Sequence, residues 1–287
     1  MKTADNFLIV GGDSRQLYIA DTLERKGKKV AVYGLPEITR KCEKDIKNAV
    51  KTSDAIVLPL PFTKDNKNIY SIVPIKESVD EILNLVSDGQ LVFAGMLNKG
   101  EESKIKKKGA VPFDYFRRED VTLMNTVPTV QGILKVIIDN IDYTINSCNC
   151  AVFGYGRVAK VAADILSAIG ANVTVCVRKN SDITLAKING HGGCPISGFS
   201  SVASDFDILI NTVPSLVIDR NILGNVKQSC LIIDVASAPF GTDFACAFEF
   251  GIKAIQCPSL PGKVAPKTAG EIIANGILNI LKEEGYE

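Results

Sequence analysis

The segment Ala151-Val152-Phe153-Gly154-Tyr155-Gly156-Arg157-Val158-Ala159 joins an apolar run to a helix-length stretch through Gly-x-Gly-x-x-Ala. In that spacing Gly154 permits a tight turn, Gly156 lets a pyrophosphate approach the backbone, and Ala159 is small enough for close helix packing. A helix starting here turns unpaired N–H groups and its positive dipole end toward phosphate. Gly154, Tyr155, Gly156, Arg157 and Val158 are therefore candidate dinucleotide contacts, against the alternative of a structural glycine turn. The end of the following strand discriminates between cofactors. An NAD site places a carboxylate about 20 residues on, for the ribose 2′-hydroxyl. Here Val177-Arg178-Lys179-Asn180-Ser181 offers two cations instead. Arg178 can grip a 2′-phosphate bidentately, with Lys179 beside it, which favours NADP over a merely solvated basic strand end.

Two further strand ends suit the same crevice, because ligands of open α/β sheets gather outside the carboxyl ends of the strands. Asn211-Thr212-Val213-Pro214-Ser215 contributes Thr212, Val213 and Pro214; Asp234-Val235-Ala236-Ser237 contributes Asp234 and Ser237. Ordinary turn chemistry is the alternative for any one of them. Near the N-terminus, Gly11-Gly12-Asp13-Ser14-Arg15 places a glycine pair, a capping candidate and an arginine at a helix start. A small carboxylate held by Ser14, Arg15 and helix N–H groups fits there, as does a plain helix cap. Thr126 and Thr129 around Pro128, and Lys263 and Lys267 around Pro266, decorate two more helix starts and are further candidates for an anionic substrate. Lys99 to Lys108 and Phe116-Arg117-Arg118-Glu119-Asp120 read by default as solvated charge. The eight cysteines read as inert core thiols, since Cys176, Cys230 and Cys257 lie in apolar runs and Cys148-Asn149-Cys150 lacks zinc-site spacing. The single histidine, His191, falls in Asn189-Gly190-His191-Gly192-Gly193, which reads as a glycine-rich loop.

These groups need elements to hold them. Short β-branched runs alternate with amphipathic helix-length segments throughout, the pattern of parallel sheets with crossover helices. Strands are expected at 6–12, 29–34, 53–59, 90–95 and 110–113, with helices near 14–26, 76–87 and 98–108. A second series follows, with strands at 148–154, 172–178, 207–212, 230–235 and 253–257. At 287 residues one core usually splits in two. The expected architecture is α/β: two doubly wound parallel-sheet domains bridged by long helices. A flavodoxin-like N-terminal substrate or partner domain spans 1–122, completed by a C-terminal helix over 266–287. A bridging helix covers 123–145, and a Rossmann NADP-binding domain covers 146–265. A cleft between the domains is expected.

Lys plus Arg total 33 against 32 Asp plus Glu, for a net charge of +1, so the basic footprint of a nucleic-acid binder is missing. The longest apolar runs are strand-sized, short of the roughly 18 residues that cross a bilayer, and residues 1–7 run into a strand with no signal-like region. A cytoplasmic protein without metal, membrane or nucleic-acid partner is expected.

Together these segments, with Asn125-Thr126-Val127-Pro128-Thr129-Val130-Gln131-Gly132, Gly241-Thr242-Asp243-Phe244 and the specific stretch from Pro258 to Gly270, resemble the family of dipicolinate synthase A subunits over nearly the whole chain. The resemblance implies NADP-dependent oxidation of a dihydrodipicolinate-type intermediate of the lysine pathway to dipicolinate, in the mother cell of a sporulating bacterium. It also implies a partner, a flavoprotein-like B subunit, and allows a homo-oligomer. An oxidation that creates an aromatic ring can lean on orientation and cofactor placement rather than on a histidine base. The rival readings are a 2-hydroxyacid-dehydrogenase-like oxidoreductase, which needs a histidine acid/base, and a non-catalytic NADP-binding subunit of a complex.

Overall fold

The computed structural model describes residues 3–36 and 41–287. It divides into two compact units, one made of residues 1–125 and 265–287, the other of 126–264. Residues 126–145 fall in the second unit.

The first unit follows the order β1 (Asn6–Val10), α1 (Arg15–Arg25), β2 (Lys29–Tyr33), α2 (Ile46–Lys51), β3 (Ala55–Val57), α3 (Val79–Leu85), β4 (Leu91–Ala94), α4 (Lys99–Lys107), β5 (Val111–Asp114) and α5 (Glu119–Met124). Its five strands are parallel in the order β2-β1-β3-β4-β5, the flavodoxin-like arrangement. Strands β3 and β4 are buried along their whole length, as parallel strands covered on both faces must be. Helices α3 and α4 open on capping boxes, Ser78 with Glu81 and Asn98 with Glu101.

The second unit runs α6 (Thr126–Ile138), β6 (Asn149–Phe153), α7 (Arg157–Ala168), β7 (Asn172–Val177), α8 (Asn180–Ile188), β8 (Gly192–Pro195), β9 (Ile208–Asn211), α9 (Arg220–Leu223), β10 (Leu231–Asp234), α10 (Phe244–Glu249), β11 (Lys253–Gln256) and α11 (Leu260–Val264). Its six parallel strands lie in the order β11-β10-β9-β6-β7-β8, the Rossmann arrangement. Gly192 and Gly193, expected as loop, open the edge strand β8 (Gly192–Pro195). The run lacks β-branched residues and becomes a strand because β7 offers it a free edge. Helix α6 packs in this unit, with Gly132 close enough that a Cβ there would lie 2.7 Å from Leu260 Cβ.

The last helix, α12 (Pro266–Glu283), packs along α1 in the first unit. Proline at its first turn forfeits no hydrogen bond. Gly270 permits the approach, since a Cβ there would meet the Arg15 carbonyl oxygen at 2.5 Å. Ile273, Ile277 and Leu281 then join Ile19 and Leu23 in one core.

One apolar stretch exceeds the sequence expectation. The helical run Glu119–Ile138, broken by a turn at Asn125, has the length and hydropathy of a membrane-crossing helix. Part of it is used internally: Val130, Ile133 and Ile137 are fully buried in the core of the second unit, while Leu123, Met124, Val127 and Ile138 are exposed.

Candidate dinucleotide site and the elements that hold it

All strands of the second sheet are parallel, so the ends of β6, β7, β9 and β10 share one edge. That edge collects every residue expected to touch the cofactor. The turn after β6 is held from both sides: Gly154 N–H donates to the Cys176 carbonyl at 2.9 Å, while Thr212 N–H and Oγ1 donate to the Phe153 carbonyl at 3.1 and 2.7 Å. Gly154 sits at φ +95°, and a Cβ there would lie 2.6 Å from Thr212 Oγ1 and 3.0 Å from Val213 Cγ2. Its glycine is required by the fold.

Gly156 is different. It precedes α7 at φ −80° and ψ −167°, a conformation open to any residue, and a Cβ there would meet nothing within 4 Å. Neither backbone nor neighbours demand glycine at this position. Tyr155 between the two glycines accepts a hydrogen bond from Asn189 Nδ2 at 2.8 Å. Arg157 is exposed and Val158 half-buried at the start of α7, and Ala159 is fully buried beneath them. Arg178 and Lys179 are exposed at the end of β7 and enter no ion pair among the described residues.

The ends of β9 and β10 form one buried network. Asp234, expected to contact cofactor, is fully buried and turned inward instead. Its Oδ2 accepts from Asn211 Nδ2 at 2.9 Å, Gly241 N–H at 2.9 Å and Thr242 Oγ1 at 2.8 Å; its Oδ1 accepts from Ala236 N–H at 3.0 Å. Asp234 is therefore an organiser of the turn, not a cofactor contact. Asn211, its partner in strand register, also accepts from Val213 N–H and donates to the Val213 carbonyl, each at 3.0 Å. Sequence reasoning passed over Asn211, whose signal was a polar residue closing an apolar strand. Thr212 and Val213 are left half-buried, and Pro214 and Ser237 exposed, on the rim this network shapes.

The N-terminal candidates fare differently. Gly11 and Gly12 take φ +62° and +93°, giving the expected turn after β1. Arg15, however, is buried at 3 % exposure, and this corrects its expected role at a substrate carboxylate. Its Nε and Nη2 donate to Asp13 Oδ1 and Oδ2, each at 2.8 Å, and Nη2 also donates to the Leu60 carbonyl. Asp13 Oδ1 further accepts from the Arg15 N–H, so the start of α1 already has its anion. Burial would raise the Asp13 carboxyl, but the Arg15 hydrogen bonds and charge outweigh it and hold it below its ordinary value. Ser14 precedes α1 without capping it through its side chain. Lys267 is exposed beside Tyr18, Asp21, Glu24 and Glu271, in a groove with more carboxylates than cations.

In the second unit Thr126 is the first residue of α6 and buried, while Thr129 is half-buried one turn on. Lys263 is exposed in α11. His191 is buried and fixed between elements: Nδ1 lies 3.1 Å from Ser167 Oγ and Nε2 2.9 Å from Asp164 Oδ1, both on α7. Both ring nitrogens are engaged in pinning β8 to α7, as a structural residue would be.

Three comparisons bear on this arrangement. A family model for the N-terminal domain of the dipicolinate synthase A subunit matches residues 6–116. The chain is 33% identical over 293 residues to the dipicolinate synthase A subunit of Bacillus subtilis, covering 99% of this chain and 98% of that protein. The crystal structure of the dipicolinate synthase A subunit from Bacillus halodurans superposes with a TM-score of 0.85 at 33% identity, covering 98% of this chain and 99% of the other. At the level of fold alone, a transhydrogenase from Sinorhizobium meliloti superposes with a TM-score of 0.68 at 15% identity, over 97% of this chain and 94% of the other.

Proposed function

Because the chain belongs to the family of dipicolinate synthase A subunits, we propose that it oxidises a dihydrodipicolinate-type intermediate of the lysine pathway to dipicolinate, with NADP as cofactor. The observation that carries the reading is Gly156, a glycine that its conformation and surroundings do not require, at the start of a helix on the carboxyl edge of a Rossmann sheet. Such a cradle fits a pyrophosphate, which approaches the backbone where a side chain would otherwise stand.

When bound, NADP supplies the hydride acceptor, so that one hydride and one proton leave the dihydropyridine ring and an aromatic dicarboxylate and NADPH result. The chain's own residues bind and orient. The N-terminus of α7 offers its amides to phosphate. Arg178 and Lys179 hold a 2′-phosphate, and no carboxylate at the end of β7 selects for the 2′-hydroxyl of NAD. Thr212, Val213, Pro214 and Ser237 line the rim toward the nicotinamide. In the second unit, Thr129 and Lys263 are the residues assigned to a substrate carboxylate. No histidine base enters: His191 is engaged at both ring nitrogens. This speaks against the 2-hydroxyacid-dehydrogenase reading. We assign the reaction to the cytoplasm of the mother cell of a sporulating bacterium, together with a flavoprotein-like B subunit.

Incubation with dihydrodipicolinate and NADP, with and without the B subunit, tests the reading through NADPH absorbance and dipicolinate formation, which should rise together. Dipicolinate formed without NADPH would sink it. In the same preparation, Arg178→Ala should weaken NADPH binding about tenfold, the value of a charge-assisted hydrogen bond, and leave NADH affinity unchanged. Equal losses for both cofactors would remove Arg178 from the 2′-phosphate.

A further inference from the structure

Seven of the eight cysteines are buried, and Cys194 alone is partly exposed. It lies on the edge strand β8, and its register partner across the parallel ladder is Cys176 of β7. Side chains in register on neighbouring strands share a face of the sheet; the Cys176 thiol donates to the Thr174 carbonyl at 4.0 Å and the Cys194 thiol to the Pro195 carbonyl at 3.4 Å. Cys176 has no exposed surface.

The chemistry of the pair is asymmetric. The neighbouring Cys176 thiol lowers the Cys194 thiol to about 7, whereas burial pushes Cys176 well above its ordinary value. Cys194 is thus substantially thiolate at neutral pH and reachable, the two requirements for a reactive cysteine. Cys176 is the protonated partner held in place behind it. Adjacent parallel strands stand about 4.8 Å apart, more than the ~3.8 Å between Cβ atoms that a disulfide prefers, so joining the pair must draw β8 and β7 together. β8 can yield, because it is an edge strand of four residues, two of them glycine. A bond formed under such strain is readily reduced.

The pair also adjoins the glycine turn. The carbonyl of Cys176 accepts the Gly154 N–H, and Phe153 is the register partner of Cys176 on the other side. Arg178 and Lys179 follow Cys176 by two and three positions. Any shift of β7 toward β8 pulls at the hydrogen bond that shapes the turn and moves the basic pair.

We propose that Cys194 and Cys176 form a reversible disulfide on exposure to peroxide, and that this bond loosens the Gly154 turn and weakens dinucleotide binding. The Cys194 thiolate attacks a peroxide oxygen, the O–O bond breaks, and the departing hydroxide takes up a proton to leave as water. The resulting sulfenic acid is then attacked by Cys176 sulfur; the S–O bond breaks as the S–S bond forms, and the Cys176 proton leaves in a second water. One hydrogen peroxide is reduced by two electrons and two thiols are oxidised.

The effect on cofactor binding rests on the dinucleotide reading, so the test includes measurements that do not. The full chain is treated with hydrogen peroxide, unreacted thiols are blocked, and linked peptides are mapped by mass. Hydrogen exchange is followed at the peptide carrying Gly154, and NADPH is titrated by fluorescence before and after dithiothreitol. Expected are a Cys176–Cys194 linkage absent from Cys194→Ser, faster exchange at Gly154, and NADPH affinity lowered about tenfold and restored by reduction, within the usual range of coupling between neighbouring sites. Since substitution of buried Cys176 risks the fold, Cys194→Ser is the principal variant and Cys176→Ala the second. Absence of the linkage, a linkage involving other cysteines, or unchanged Gly154 exchange in the linked protein overturns the proposal. A reduced chain that binds no NADPH would sink the cofactor reading, and linkage and exchange would still decide this one.

Discussion

Gly156→Ser is expected to keep or slightly raise the melting temperature while weakening NADPH binding about 100-fold, a loss of about 2.7 kcal/mol. The two effects separate because the position answers to two different demands. As the residue before α7, Gly156 has extended backbone angles and no side-chain cap, and a Cβ would meet nothing. Serine there can accept a hydrogen bond from an orphan N–H of the first turn and is a better cap than glycine by a few tenths of a kcal/mol. The same hydroxymethyl group stands where a pyrophosphate must come down on the backbone. Gly154→Ala supplies the contrast: at φ +95°, with Thr212 Oγ1 2.6 Å away, any side chain strains the turn, so affinity and stability should fall together. Thermal melting beside fluorescence titration reads both. Unchanged NADPH affinity in a folded Gly156→Ser protein would mean that the open cradle holds no phosphate.

The largest expected loss of stability belongs to Asp234→Ala. The substitution strips the acceptor from four donors at once: Asn211 Nδ2, Gly241 N–H, Thr242 Oγ1 and Ala236 N–H. Each buried group left unsatisfied costs about 1–3 kcal/mol, and a small void can admit water to some of them, so a total of about 4 kcal/mol is expected. For a unit of this size that is a fall in melting temperature of about 10 °C. Gly241 cannot relax toward a new arrangement freely, because it is wedged where a Cβ would collide with the Val213 carbonyl. NADPH affinity should fall as well, through the rim at Val213 and Ser237. A variant melting within about 2 °C of the parent would show that the network is redundant.

Asp234 also shows where the sequence was legible and where it was not. The strand ends and the glycine turn announced themselves, because β-branched runs closed by polar or glycine residues have few alternatives in an α/β chain. Which way Asp234 points depends on Asn211 lying beside it in register, and register is a property of the assembled sheet. Arg15 misled for a related reason: an arginine at a helix start resembles an anion receptor, yet Asp13 two residues earlier takes the guanidinium. β8 escaped because Gly192 and Gly193 carry no strand preference of their own, and only the exposed edge of β7 makes them one. The pairing of Cys176 with Cys194 was hidden by the same omission.

The division of the chain has a consequence for its synthesis. The second unit is continuous, but the first is closed only by α12, which brings Ile273, Ile277 and Leu281 to the core that Ile19 and Leu23 began. Domains ordinarily fold in the order in which the ribosome delivers them. Here the N-terminal unit must wait with that face of α1 bare until the final helix emerges, while the C-terminal unit already has all its parts.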